Sequence, residues 1–274
     1  MTRSSIILLL LIPLSVYSQE PSYLEFVKTE TRLQSLFNQL YSDSLSDADP
    51  ILDSLRIHFT EALSLPGSMD FPWSRLDKIG IITSEDKKVR IFTWHLMDDP
   101  DNYRYFGFVQ VGMKKGKSRI YDLKDNGKAQ RALFNVEQTA EDWYGKLYYQ
   151  VLTNTHKRKT YYTILGMDFN NSHSTIKTVE VIEIQRNAPH FVKSLFYNGR
   201  SWADRLVLEY SKQVAISVRY DRSTGMITFD HLVPFHPIYE KNYEFYGPDG
   251  SYDGLEFSEG LWNYRDDIDA RNID

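Results

Sequence analysis

The sequence predicts a mainly β protein: a large antiparallel meander, closed into a barrel-like form or folded as a two-sheet sandwich, and preceded by an N-terminal helical hairpin. Three observations carry this expectation. Apolar residues recur at helical spacing through the first part of the chain and switch near Leu76 to the alternation of strands. Beyond that point turn-forming clusters punctuate the chain every eight to twelve residues or so, too closely for the crossover connections of a parallel sheet. Finally, 42% of the residues are hydrophobic and 14% aromatic, enough apolar surface to offset the entropy of ordering the chain.

The first eighteen residues read as an export leader. Arg3 supplies the positive charge and Ile6 to Val16 an apolar run broken by Pro13. Val16 and Ser18 provide the small-residue cleavage pattern, which would leave Gln19 as the new terminus. As a helix this run would reach only about 16 Å, half a bilayer core, so the expectation is cleavage and no membrane span afterwards. No cysteine follows the cleavage point, so the mature product is expected not to be a lipoprotein but to lie in the periplasm or outside the cell.

The helical hairpin is assigned to residues 19–70 and the β domain to 71–274. Ser22 and Glu25 form a capping box for the first helix, whose apolar residues recur at Tyr23, Phe26, Val27, Leu33, Leu36, Phe37 and Leu40. The second is expected to begin with Asp49 as its cap and Pro50 at its first helical position, and to end at Pro66-Gly67. Strand candidates, roughly a dozen, follow from Lys78 onward. They are separated by turns at residues 84–86, 114–116, 156–158, 210–213 and 221–225. One interruption is expected at residues 128–143, where Ala129, Ala132, Leu133, Val136 and Ala140 suit a helix.

Composition also excludes chemistry. With no cysteine there is no disulfide framework, no thiol nucleophile and no Cys-ligated zinc or iron–sulfur site. A net charge of −5 argues against nucleic acid as a partner. The nucleophile elbow, the Walker loop, the dinucleotide fingerprint and the zinc-protease pair of histidines are all missing.

The densest polar stretch runs from Asp230 to Asp253 and includes His231, His236, Asp249 and Ser251. On a regular strand over residues 226–233, His231 shares the apolar face of Ile227 and Phe229 while Asp230 faces the other way. His231 is therefore expected to be a core histidine, and the two could share a site only across a bulge. His236 lies between Pro234 and Pro237 on an extended segment where it could contact a ligand. Asp249, Ser251 and Asp253, followed by Gly254, match the first half of a calcium loop, although Gly260 stands where a bidentate Glu belongs. Aromatic clusters such as Tyr161-Tyr162 are expected to be core, with Trp94 and Trp262 the individual candidates for ligand contact. The basic run His156-Lys157-Arg158-Lys159 reads as a solvated hairpin tip.

The leader ending in Ser18-Gln19, the strand Tyr161-Tyr162-Thr163-Ile164-Leu165-Gly166, Asp230-His231-Leu232-Val233-Pro234, and the terminal segment from Tyr246 to Gly254 together resemble uncharacterised exported proteins of Gram-negative bacteria. The resemblance implies a shared fold and location and carries no assigned activity, so it transfers no catalytic residue. The functional expectation is a non-enzymatic envelope or secreted β-scaffold that binds a protein or a glycan, with Trp94, Asp230, His236 and Trp262 as ligand candidates. Two others accompany it. One is a polysaccharide- or peptidoglycan-acting hydrolase drawing paired carboxylates from Asp230, Asp249, Asp253, Glu256 and Glu259. The other is a module stabilised by calcium at Asp249, Ser251 and Asp253.

Overall fold

The computed structural model describes residues 23–42, 47–126 and 138–269. The leader expected over residues 1–18 and most of the helix expected over 128–143 lie outside them. The described remainder of that segment, 138–143, is not helical. Trp143 instead forms a bridge with Asp125, donating its amide to Lys124 at 2.9 Å and so withdrawing it from any helical ladder.

Helix α1 (Tyr23–Leu40) and helix α2 (Asp49–Ser64) each bury one face: Phe26, Leu33, Phe37 and Leu40 on the first, Leu52, Leu55, Phe59 and Leu63 on the second. Asp49 is not the cap that the sequence suggested. It is the first helical residue, and its amide is held by Asp47 Oδ1 at 3.1 Å. The Asp49 carboxylate is thereby free to pair with Arg104 at 3.0 Å. The helix stops at Leu65, extended at ψ 135° ahead of Pro66.

The hairpin covers a four-stranded sheet of β1 (Gly80–Thr83), β2 (Val89–Asp99), β3 (Asn102–Gly112) and β4 (Ser118–Lys124). Phe59 is the centre of this contact, its ring 5.4–5.9 Å from those of Phe37, Phe92, Trp94 and Phe108. The opposite face of sheet 1, with Ile91, Tyr105 and Val109, packs on sheet 2. Sheet 2 contains β5 (Leu147–His156), β6 (Lys159–Asp168), β7 (Ser174–Gln185), β8 (Ala188–Phe191) and, beside β7, β11 (Arg205–Ser211). A third sheet has the order β10 (Trp202–Ala203), β9 (Phe196–Tyr197), β15 (Leu261–Arg265), β14 (Tyr246–Ser258), β13 (Met226–Pro234) and β12 (Val218–Asp221). Its Ile227, Phe229, Leu255 and Trp262 meet Leu165, Val179 and Val181 of sheet 2.

The architecture is therefore mainly β, with a helical hairpin and three sheets in successive layers; among the described residues no sheet closes into a barrel. Among the described residues every strand pair is antiparallel except β9 with β15, where Phe196 sits beside Trp262. The middle layer explains the double tyrosine in β6. Alternation sends Tyr162 and Ile164 toward sheet 1 and Tyr161 and Leu165 toward sheet 3, and both sides are covered.

One buried polar cluster interrupts the apolar layer between sheets 1 and 2. Glu180 of β7 lies opposite Arg205 of β11, and its Oε2 is 2.9 Å from Lys146 Nζ and 3.7 Å from Arg205 Nε. Gln138 and Tyr148 also donate to this carboxylate. Burial alone would raise the Glu180 carboxyl, but the Lys146 and Arg205 charges outweigh it and hold it below its usual range. Burial pushes the Lys146 ammonium down to about 8.

Two substitutions test this construction. Phe59→Ala should lower the unfolding free energy by about 3–5 kcal/mol in urea denaturation, since it empties the contact between hairpin and sheet. A loss below about 1 kcal/mol would mean that the helices do not rest on sheet 1. Glu180→Gln should cost about 3–5 kcal/mol in the same denaturation by removing the buried carboxylate on which the Lys146 and Arg205 charges converge.

Candidate functional site

Strands β13 and β14 pair in regular register as far as Asp230 opposite Tyr252, and again from Leu232 opposite Pro248. Between them Asp249, Gly250 and Ser251 stand against the single residue His231. Gly250 has φ +95°, which lets the wider side of this bulge form. His231 lies opposite this bulge, on the face it shares with Phe229 and Asp253; the histidine side chain is not enclosed there. It is not the core histidine that alternation predicts: its side chain is 42% exposed, with Nδ1 2.7 Å from Asp253 Oδ2. Asp253 itself is buried. Its Oδ2 also accepts the Tyr264 hydroxyl of β15, and its Oδ1 accepts the Asp267 amide at 3.2 Å.

The electrostatics follow from this geometry. The hydrogen bond to Asp253, aided by the charges of Asp253, Asp249 and Asp266, raises the His231 pKa above its ordinary 6.5, while partial burial opposes the rise. Burial and the Asp253 carboxylate push the Tyr264 hydroxyl upward, so it remains a donor.

Tyr264 separates two adjoining hollows that share it and Val207 as walls, together forming a groove between β11 and sheet 3. The larger, about 740 Å³, runs past Tyr197, Trp202, Arg200 and Asp266. The smaller, about 180 Å³, holds His231, Asp230, Glu209 and Tyr243. At the mouth of the larger, the Trp202 ring lies 4.6 Å from that of Tyr197 and is the most exposed of the described indoles, with its residue 47% exposed. Asn198, Arg200 and Ser201 form the polar rim beside it, and Asn198 Oδ1 holds the turn by accepting both following amides, from Arg200 at 3.0 Å and Ser201 at 2.8 Å. A flat aromatic face bordered by donors and acceptors can stack on a ring while bonding its substituents.

The structure distributes the sequence candidates unevenly. Trp94, 3% exposed, is stacked on Phe59 under the hairpin, and Trp262, fully buried, donates its indole to Thr163 at 3.0 Å between sheets 2 and 3. Both are core residues rather than ligand contacts, because the faces on which alternation places them are covered by a further layer. Asp230 does line the groove, its carboxylate accepting the Ser217 amide at 2.5 Å. His236 is exposed and away from both hollows; its Nδ1 accepts the Ile238 amide at 3.3 Å, capping the short turn Pro237–Tyr239.

Asp249, Ser251 and Asp253 do not form a calcium loop. They belong to β14, where Asp249 accepts the Ser251 amide and hydroxyl at 2.9 and 2.7 Å while Asp253 turns toward His231. Among the described residues no three His, Asp or Glu side chains gather as a metal site. Sequence reading missed Tyr197, Trp202 and Tyr264. The first two sit on two-residue strands too short to show any period, although Asn198-Gly199 between them is a turn signal.

Comparison with protein-family models, curated proteins and solved structures returns no match. The reading of the groove therefore rests on its own geometry.

The raised His231 pKa has a testable sign. Its contribution to stability should be fully present below pH 6.5, the ordinary value, and lost as the pH climbs through the higher folded-state value. The urea midpoints of the protein and of His231→Asn should then differ most on the acid side of 6.5 and converge at alkaline pH. A gap independent of pH would show that the Asp253 bond does not favour the charged imidazole.

Proposed function

We propose that this chain is an exported, non-enzymatic β-scaffold protein of the bacterial envelope that binds a glycan in the groove between β11 and sheet 3. The observation that carries the reading is the pair Trp202 and Tyr197 at the mouth of that groove, beside Arg200 and Asp266. A sugar ring offers an apolar C–H face to an indole and hydroxyls to the polar rim, the two chemistries found side by side here. The leader pattern in the first eighteen residues supports export.

A hydrolase using paired carboxylates fits the groove less well. Within the acidic set suggested by sequence, Glu256 pairs with Arg265 at 2.7 Å and Asp249 holds Ser251. Asp230 and Asp253 do line the groove, but their oxygens are committed to the Ser217 amide and to His231, Tyr264 and the Asp267 amide. Asp253 is also the hydrogen-bond partner of His231, and among the described residues no hydroxyl nucleophile is lined up on that imidazole.

The chain has five tryptophans, of which Trp73, Trp94, Trp143 and Trp262 are buried, so fluorescence quenching by a stacked ligand reports on Trp202. Titration of residues 19–274 with N-acetylhexosamine oligomers and soluble peptidoglycan fragments should give saturable quenching. Trp202→Ala should weaken binding at least about tenfold, measured by calorimetry. Unchanged affinity in that variant, or no saturable response to either ligand, would remove the groove from consideration.

A further inference from the structure

A second concave site lies at the far end of β7, where the hairpin tip joining β5 to β6 and the one joining β7 to β8 approach the start of β2. It encloses about 400 Å³ and is walled by Lys88, Arg158, Arg186, Tyr162, Asn187 and the Lys159–Glu183 pair. These cations come from three separate parts of the chain and converge in a protein whose net charge is −5. The carboxylates nearby are already engaged. Glu183 is held by Lys159 at 2.7 Å and by Gln185 at 2.5 Å, and Asp86 accepts the Tyr162 hydroxyl at 2.8 Å together with the Ser84 hydroxyl and the Lys88 amide. Among the described residues, Lys88, Arg158 and Arg186 have no acidic partner.

The backbone adds an independent sign. The two-residue turn Lys157–Arg158, closed by His156 opposite Lys159, has φ +45° and +66°. The turn Arg186–Asn187, closed by Gln185 opposite Ala188, has φ +51° and +65°. Both turns demand the left-handed conformation at each central residue, where glycine, asparagine or aspartate is the relaxed choice. Three of the four positions carry a long cation instead, and two of these, Arg158 and Arg186, line the pocket. Such a departure from turn chemistry stores strain, and it is retained where the side chains face a task. Clustered guanidinium and ammonium groups around a concave surface suit a compact anion with several oxygens, since arginine can engage two of them at once.

We propose that this pocket binds a phosphate group, carried either by a soluble phosphate ester or by a lipid headgroup, with Arg158 and Arg186 as the principal contacts and Lys88 supporting them. The site is separate from the aromatic groove and does not depend on what that groove holds.

The test uses residues 19–274 at low ionic strength, where exposed charges are least screened. Inorganic pyrophosphate, the soluble probe, is titrated by calorimetry. Phosphatidylcholine vesicles with and without phosphatidic acid, the lipid probe, are assayed by co-sedimentation. The variant R158N/R186N removes two charges while placing at both turns a residue that tolerates positive φ, so the fold is kept. R219N/R222N removes the same charge elsewhere. Saturable pyrophosphate binding that falls at least tenfold in R158N/R186N, but less than twofold in R219N/R222N, supports the proposal with a soluble ester as source. The same pattern confined to vesicles containing phosphatidic acid supports it with a lipid headgroup. Binding of neither probe, or equal losses in the two variants, overturns it.

Discussion

The carboxylate of Glu180 holds the interior of this protein in register. It lies between sheets 1 and 2 with Lys146 on one side and Arg205 on the other, and all three side chains are buried. A charge taken out of water is tolerated only when its partners are placed to compensate it, so few relative positions of these segments are acceptable. Arg205 belongs to β11, and β11 is one wall of the groove. The requirement to neutralise Glu180 therefore reaches beyond the core and constrains where the wall of this groove can be. Apolar contacts on either side, such as Leu165 with Val179 and Ile164 with Ile182, stabilise the layers without specifying this alignment as sharply.

The groove is built where the regular pattern is broken. His231 keeps the face of Phe229, whose cross-strand partner is Asp253, and so meets the Asp253 carboxylate. Beside the bulge at Asp249–Gly250–Ser251 the imidazole stays partly exposed while it bonds Asp253, which also accepts the Tyr264 hydroxyl. Local irregularity of this kind marks places where a sheet has a duty other than packing. The cation-bearing turns at the other end of β7 are a second break, in turn chemistry rather than in strand pairing.

How much of this was legible in the sequence depends on the range over which each signal acts. The helical faces, the switch to alternation near Leu76 and the turns at 114–116, 156–158 and 221–225 are local, and they appear where the residues suggest. The layering is not local. Alternation shows that Trp94 and Trp262 share a face with apolar neighbours, but not that a helical hairpin covers the first and another sheet the second. Asp49 illustrates the same limit at smaller scale: it is the first helical residue rather than the cap, and its carboxylate pairs with Arg104, more than fifty residues away. His231 was misplaced because alternation shows which face a residue takes but not how completely that face is covered at the end of the strand. Residues on strands as short as β9 and β10 leave no period to read, so Trp202 could not be distinguished from the buried indoles.

The order of strands in sheet 3 has a consequence for how the molecule assembles. Strand β15 is the last described, yet it is an interior member, inserted between β9 and β14 and paired with β9 across more than sixty residues of chain. Until it arrives, Phe196 and Leu255 lack their common neighbour, and the sheet exists as two unjoined halves. Contacts so distant in sequence are slow to form, because a long loop must close before any burial rewards it. A chain cut short before residue 261 therefore cannot join β9 to β14, and its third sheet stays in two parts.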